Sequence, residues 1–187
     1  MKSTITFFIA LIATICFFNC DGRHRAQKSY TENLIKENLP SSFSEQVAFS
    51  PESYAEHVND TTLTNGYRAH IKSYSDMVNH VVITEERNEI THKKYYRKAI
   101  GEITVYKDNS EVFMTVINEQ LFIKHIDNLP KDFNQYILKS LWVNQYKSLK
   151  DNQLIIDVLL QKPKSKHQIN YQLIIDHKGK FNIIKNV

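Results

Sequence analysis

The alternation of apolar and polar side chains constrains the fold of this chain most. From about residue 60 onward the period is mostly two, the period of a β-strand with one buried face. The run 154–160 is almost wholly apolar, which predicts a central strand covered on both faces. The pattern predicts strands over 67–72, 78–85, 94–106, 111–117, 154–160, 169–175 and 181–184, with a further short apolar run over 121–125.

Turn residues separate several of these strands. Asn65-Gly66 favours a tight turn, since type I′ turns need positive φ at both central positions. Residues 107–110 and 176–179 read as two further turns. Connections this short join antiparallel neighbours, and 78–85 is predicted to lie beside 67–72.

One segment breaks the two-residue period. Phe133, Ile137 and Leu141 are spaced four residues apart, and Asp132 is a good residue for a helix start. A helix over 132–148 is therefore predicted. The fold class that follows is α+β, a curved antiparallel sheet with one main helix packed on it. The alternative is a β-sandwich or partial barrel with the helix at an end. A short helix over 51–57 competes with a strand over 54–58.

The first 20 residues have the composition of an export signal. Lys2 is followed by an uncharged run over residues 5–18, shorter than the roughly 20 apolar residues of a spanning helix. The run ends at Cys20, and no cleavage site of the A-x-A kind is present. An ordinary cleaved signal with incidental cysteines is the alternative. Cys16 and Cys20 are the only cysteines, so no disulfide is expected after residue 20.

The tetrapeptide Phe17-Phe18-Asn19-Cys20 resembles the lipobox of bacterial lipoproteins. Phe17 and Asn19 depart from the commonest residues in a way that Bacteroidetes-type leaders share. The resemblance implies a signal peptide over 1–19 and a lipid-modified Cys20. The polar composition of the next stretch predicts a tether over 20–50, and the remaining length predicts one domain over 51–187. The resemblance also implies attachment to a membrane of the cell envelope. The basic residues soon after Cys20 favour an anchor that faces the periplasm.

Three stretches resemble an uncharacterised family of small Bacteroidetes lipoproteins. They are the leader up to Cys20, the run 60–66 before the first clear strand, and the closing strand and turn over 174–179. The family has no agreed activity, so the resemblance implies no functional residues.

Motifs for catalysis and cofactors are scarce. None of the eight histidines falls in a local ligand motif, and no metal site is expected. The chain has no G-x-S-x-G, P-loop or G-x-G-x-x-G motif, so no cofactor is expected. Asp157 interrupts an apolar strand, where a carboxylate needs a partner or a raised pKa unless it faces solvent at an edge. His70 and His80 lie on strands predicted to be neighbours.

Four aromatic residues are the candidate binding face. Tyr95, Tyr96, Trp142 and Tyr146 would line a groove for sugar, peptide or lipid, with core packing as the alternative. The net charge of +4 is spread along the chain, which does not favour nucleic-acid binding. We expect a non-enzymatic envelope module that binds or scaffolds an envelope protein or glycan. An envelope hydrolase with a site assembled from distant residues is the alternative, and a structural spacer is a third interpretation.

Overall fold

A computed structural model describes residues 45–87 and 90–186 of the chain. The chain divides into two compact units. One unit comprises residues 1–46 and 88–90, of which Glu45, Gln46 and Ile90 are described. The other unit, Val47–Arg87 with Thr91–Val187, contains the core and every site discussed below.

The described residues are mainly strands. The strands are β1 Glu45–Ser50, β2 Glu56–Thr62, β3 Tyr67–Arg87, β4 Ile90–Lys107, β5 Ser110–Ile117, β6 Ile137–Val143, β7 Leu154–Gln161, β8 Gln168–Ile175 and β9 Phe181–Asn186. Two short helices are α1 Glu119–His125 and α2 Gln145–Lys150, and Phe133–Gln135 forms a 3₁₀ turn. Asn118 and Asn144 start the two helices, since their side-chain oxygens accept hydrogen bonds from Leu121 and Lys147 backbone N–H groups.

Two sheets share one core. The first has the order β1–β4–β3–β2, with β5 also paired to β4, and the second has the order β6–β7–β8–β9. Gly101 of β4 shows how closely they pack, because a Cβ atom there would lie 2.6 Å from Cδ2 of Leu141 on β6. The core contains Tyr67, Ala69, Ile71, Ile103 and Val105 from the first sheet and Leu154, Ile156, Val158, Tyr171, Leu173 and Ile175 from the second.

The predicted α+β class is wrong. Strands make up 64% of the described residues and helices 11%, in two sheets. The predicted helix over 132–148 is replaced by the 3₁₀ turn, β6 and α2. A bulge between Leu138 and Ser140 puts Leu138 and Leu141 opposite Leu160 and Val158, on the same face of the sheet. An apolar spacing of three residues therefore arises inside a strand, which imitates the period of a helix.

Two further predictions are corrected. The strands predicted over 67–72 and 78–85 are one continuous strand, β3, and so are not neighbours. The polar stretch between them stays within the strand, where Asp76 Oδ1 accepts hydrogen bonds from the backbone N–H groups of Val78 and Asn79. The strand interpretation near residue 54 is the better one, since no helix forms over 51–57 and β2 begins at Glu56.

The predicted turns are confirmed. Gly66 and Gly179 have φ values of +85° and +77°. Asp108 and Asn109 have φ values of +50° and +67°, as expected of the two central residues of a type I′ turn. These turns set the antiparallel pairing of β4 with β5 and of β8 with β9.

Strands β3 and β4 change character along their length. In the parts that reach the core, over 67–75 and 101–105, buried side chains alternate with more exposed ones. Residues 77–87 of β3 and 91–97 of β4 are instead exposed or half-buried on both faces. We call these two segments the hairpin arm. In β3 it begins directly after Asp76.

Candidate functional site

A concave space lies at the base of the hairpin arm. It has a volume of about 350 Å³ and is bounded by the arm, by β6 and by the connection between β7 and β8. We call it the basic cleft. Its lining residues are Ser50, Pro51, Ser75, Tyr96, Arg97, Lys98, Ala99, Ile137, Leu138, Lys139, Gln161, Lys162, Pro163 and Lys164.

The charge of the cleft is one-sided. Five of its lining residues are cationic, and none of the described residues on its wall is acidic. Three of the lysines are held by carboxylates outside the wall, in the ion pairs Lys98–Glu119, Lys162–Asp132 and Lys164–Glu85. Within residues 45–87 and 90–186, the remaining two cations, Arg97 and Lys139, have no carboxylate partner. The cleft therefore carries uncompensated positive charge.

The ion pairs shift the ionisation of their members. The hydrogen bond from the Lys162 ammonium lowers the pKa of the Asp132 carboxyl, and the Asp132 carboxylate raises the pKa of Lys162. The Lys164 ammonium likewise lowers the pKa of Glu85. All three shifts favour the charged forms, so these pairs stay ionised at neutral pH.

Arg97 is fixed by backbone oxygens. Its Nε donates to the carbonyl oxygen of Pro51 at 3.2 Å, and its Nη1 donates to that of Met77 at 2.8 Å. Its guanidinium also lies 4.6 Å from the ring centroid of Phe49. Neutral partners hold the side chain in place while leaving its full positive charge available.

Lys139 joins the cleft to a second space. An adjoining pocket of about 210 Å³ shares Ser75, Ala99, Leu138 and Lys139 with the basic cleft. Its other lining residues are Ala55, Glu56, His57, Ser73 and Tyr74. The two spaces together make one groove along the first residues of β6, with Lys139 in the middle.

The four predicted binding aromatics do not form one face. Tyr96 lines the basic cleft. Tyr95 instead stacks on Phe49, with 5.0 Å between ring centroids. Trp142 on β6 and Tyr146 on α2 are exposed, and neither lines the cleft. Of the four residues, only Tyr96 lies in the basic cleft.

Asp157 belongs to a satisfied polar network. It lies on β7, between β6 and β8, so the interpretation as an edge residue is wrong. The side-chain amides of Asn144 and Gln172 donate to its two carboxylate oxygens at 2.8 and 2.7 Å. The Lys147 ammonium donates to Gln172 at 3.3 Å. These partners explain how an apolar strand accommodates a carboxylate.

A hydrolase site would need a nucleophile or carboxylate close to a histidine in a cleft. His70 and Asp60 form a His–carboxylate pair at 2.9 Å, but both side chains are exposed. His70 and His80 lie on the same strand, not on neighbouring ones. Over residues 45–87 and 90–186 no hydrogen bond joins a serine hydroxyl to a histidine ring, and no cluster of three potential metal ligands occurs.

The comparisons with known proteins add no relative. No protein-family model matches this chain, and no curated protein does. The resemblance to small Bacteroidetes lipoproteins stays a prediction, and the predicted lipidation site, Cys20, lies outside the described residues. No helix in the part of the chain that the structure describes is long and apolar enough to span a bilayer.

The sequence interpretation missed the cations of the cleft. Arg97, Lys139 and Lys162 come from three different strands or their ends, and nothing local predicts that they meet. One signal was present in the sequence. Residues 162–166 carry three lysines around Pro163, a dense local charge for a chain with evenly spread ions.

Proposed function

We propose that this protein is a lipid-anchored envelope module that binds an anionic ligand in the basic cleft. The observation that supports this is the one-sided charge of the cleft wall, with five cations and no acid among its described residues. Lys139 and Arg97 supply the charge that no carboxylate of the described residues compensates. No catalytic step is part of the proposal.

The cleft has the size and chemistry of a binding site. Small-molecule sites commonly measure roughly 300–1,000 Å³ and combine apolar walls with a few polar groups. Here Ala99, Ile137 and Leu138 contribute apolar surface to the wall, which the five cations also line. Guanidinium and ammonium groups form charge-assisted hydrogen bonds with carboxylates and phosphates, and partial exclusion of water strengthens them.

The anchor rests on the leader sequence. Acyl chains on the Cys20 thiol, with more than one chain attached, would hold the domain stably at a membrane. Envelope fractions should contain the wild-type chain, and Cys20→Ser should release it from them. Retention of the serine variant in the lipid fraction would exclude the anchor without affecting the cleft.

Calorimetric titration of the full chain in detergent with inorganic pyrophosphate or citrate tests the cleft. Lys139→Glu reverses the unpaired charge and should weaken binding at least about tenfold, or about 1.4 kcal/mol. The matched control is Lys185→Glu, which changes an exposed strand lysine outside the cleft wall. Equal losses in both variants, or no binding of either anion, would contradict the proposal.

A second candidate function is scaffolding through the outer face of the four-stranded sheet. Trp142, Tyr146, Leu149 and Ile184 are all exposed there or on α2. Trp142 is the only tryptophan of the chain, so its fluorescence reports on this face. An anion in the basic cleft should leave that emission unchanged, whereas an envelope protein that shifts it would support scaffolding instead.

A further inference from the structure

Strand β6 is an edge strand that borders the basic cleft. The second sheet has the order β6–β7–β8–β9, so within the described residues β6 has a strand neighbour on one side only. Ile137, Leu138 and Lys139 of this strand line the basic cleft, and Leu138 and Lys139 also line the adjoining pocket. The free side of β6 and the two spaces therefore coincide.

The backbone of an edge strand offers hydrogen bonds. In an antiparallel pair, alternate residues direct their N–H and C=O groups to the partner, and the intervening residues direct theirs to the open side. The bulge between Leu138 and Ser140 leaves Lys139 without a partner residue on β7 and shifts this alternation by one residue there. In the described part of the chain, no backbone hydrogen bond outside the strand pairing involves Ile137, Leu138 or Lys139. A segment lying in the groove would find both donors and acceptors along it.

We infer that the anionic ligand is an extended acidic peptide segment that pairs with β6 as an additional strand. The inference rests on the proposed function and names its ligand class. Strand addition supplies main-chain hydrogen bonds, and the flanking spaces select alternate side chains. Glutamate or aspartate side chains would be received by Lys139 and Arg97, and the side chains between them by the apolar wall of Ile137 and Leu138.

A short segment suits the groove. The two spaces measure about 350 and 210 Å³ and share four lining residues, so they take only a few side chains. A segment of about five residues spans roughly 16 Å as a strand, and acids at alternate positions place its carboxylates on one face. A charged glycan would use the same cations but has no peptide backbone to continue the strand pairing of β6.

The experiment compares an acidic peptide with its N-methylated forms. The probe is an acetylated, amidated Glu-Val-Glu-Val-Glu peptide, titrated calorimetrically into the full chain in detergent. Two further peptides carry N-methyl groups on the valines or on the glutamates, which removes the donors of one strand register at a time. The parent should bind, and one methylated form should bind at least about tenfold more weakly than the other.

Matched probes separate the possible failures. A Lys-Val-Lys-Val-Lys peptide should not bind, and inorganic pyrophosphate should compete with the acidic peptide. Equal binding of all three acidic peptides would overturn strand pairing while leaving anion binding intact. Binding of polygalacturonate without binding of the peptide would overturn the peptide in favour of an acidic glycan. If no anionic probe binds, the proposed function fails together with this inference.

Discussion

The two halves of strands β3 and β4 are made of similar residues but differ in burial. In the half that belongs to the core, Tyr67 and Ala69 are 0% exposed, and so is Val105. In the hairpin arm, Val78 is 78% exposed and Val82 is 43% exposed. Valine is therefore part of the interior in one half and of a solvent-facing surface in the other. What separates them is the second sheet, which covers the first half only.

The difference shows that a segment of this chain can form a strand without being part of the core. The core half is stabilised by apolar burial against the second sheet. The arm is held by polar contacts, namely the hydrogen bonds of Arg97 and the Lys164–Glu85 ion pair. Segments with few buried apolar contacts open at a lower free energy than the core. The arm is thus the part best suited to adjust around a ligand.

The largest expected effect on stability comes from comparing a valine-to-alanine substitution in the core half with the same substitution in the hairpin arm. Val105→Ala removes two buried methyl groups and should lower the free energy of unfolding by about 2 kcal/mol. Val78→Ala removes the same atoms from an exposed site and should change it by no more than about 0.5 kcal/mol. Denaturant unfolding followed by circular dichroism measures both. Similar losses in the two variants would show that the arm is as well packed as the core.

A smaller effect is expected from Arg97→Met. The variant keeps an unbranched apolar stem but loses the two hydrogen bonds to backbone carbonyls and the cation–π contact with the Phe49 ring. The free energy of opening the arm should fall by about 1 kcal/mol, with little change in global stability. Hydrogen exchange of residues 77–87 measures it.

Arg87→Met is the control for this variant. Arg87 pairs with Glu85 on its own strand and joins no second element through that pair. Exchange in the arm should stay as in the wild-type chain. Faster exchange throughout the core of the Arg97 variant would mean that Arg97 supports the whole fold and not the arm alone.

Tyr67→Phe should stabilise the core half slightly. The Tyr67 hydroxyl is buried without a hydrogen-bond partner among the described residues, so its removal should raise the free energy of unfolding by up to about 1 kcal/mol. Burial also raises the pKa of Tyr67, which means that the folded state favours the neutral phenol. The stability that this preference adds is present below the unfolded pKa of about 10 and is lost as the pH rises through the folded pKa. The variant should therefore lose less stability than the wild type above that pH. A destabilised variant would reveal a partner for the hydroxyl.

The smallest effect concerns the ion pair between the arm and the β7–β8 connection. Lys164 lowers the pKa of Glu85, so the pair is formed above the ordinary glutamate pKa of about 4.3. It is lost as the pH falls through the lower, folded value. Amide NMR shifts of residues 77–87 should show this acid transition, and Glu85→Gln should abolish it. An unchanged transition in Glu85→Gln would assign it to another carboxylate.

The sequence predicts strands and turns better than it predicts their assembly. Alternation located the core strands, and Asn65-Gly66 located a turn, because both signals are local. The helix over 132–148 was wrong because a bulge in β6 shifts the alternation, and a bulge depends on the partner strand. The α+β class failed with it, since the second sheet begins at β6.

The candidate site was predictable only in part. Tyr96 was singled out as a binding aromatic and does line the cleft. Arg97 and Lys139 line the same cleft although they belong to different sheets, and no local sequence pattern encodes that. Trp142 was grouped with Tyr96 because both are aromatic, although the sheets separate them. Lipidation of Cys20 remains a prediction from the leader.

The continuity of β4 has a mechanical consequence. This strand carries Tyr96 and Arg97 at the cleft and, four residues after Arg97, Gly101 where it packs against β6. A Cβ atom at position 101 would lie 2.6 Å from Cδ2 of Leu141, so the Leu141 side chain occupies the space beside this glycine. We expect a shift of β4 on ligand binding to change the surroundings of the Leu141 methyl groups, which methyl NMR would detect.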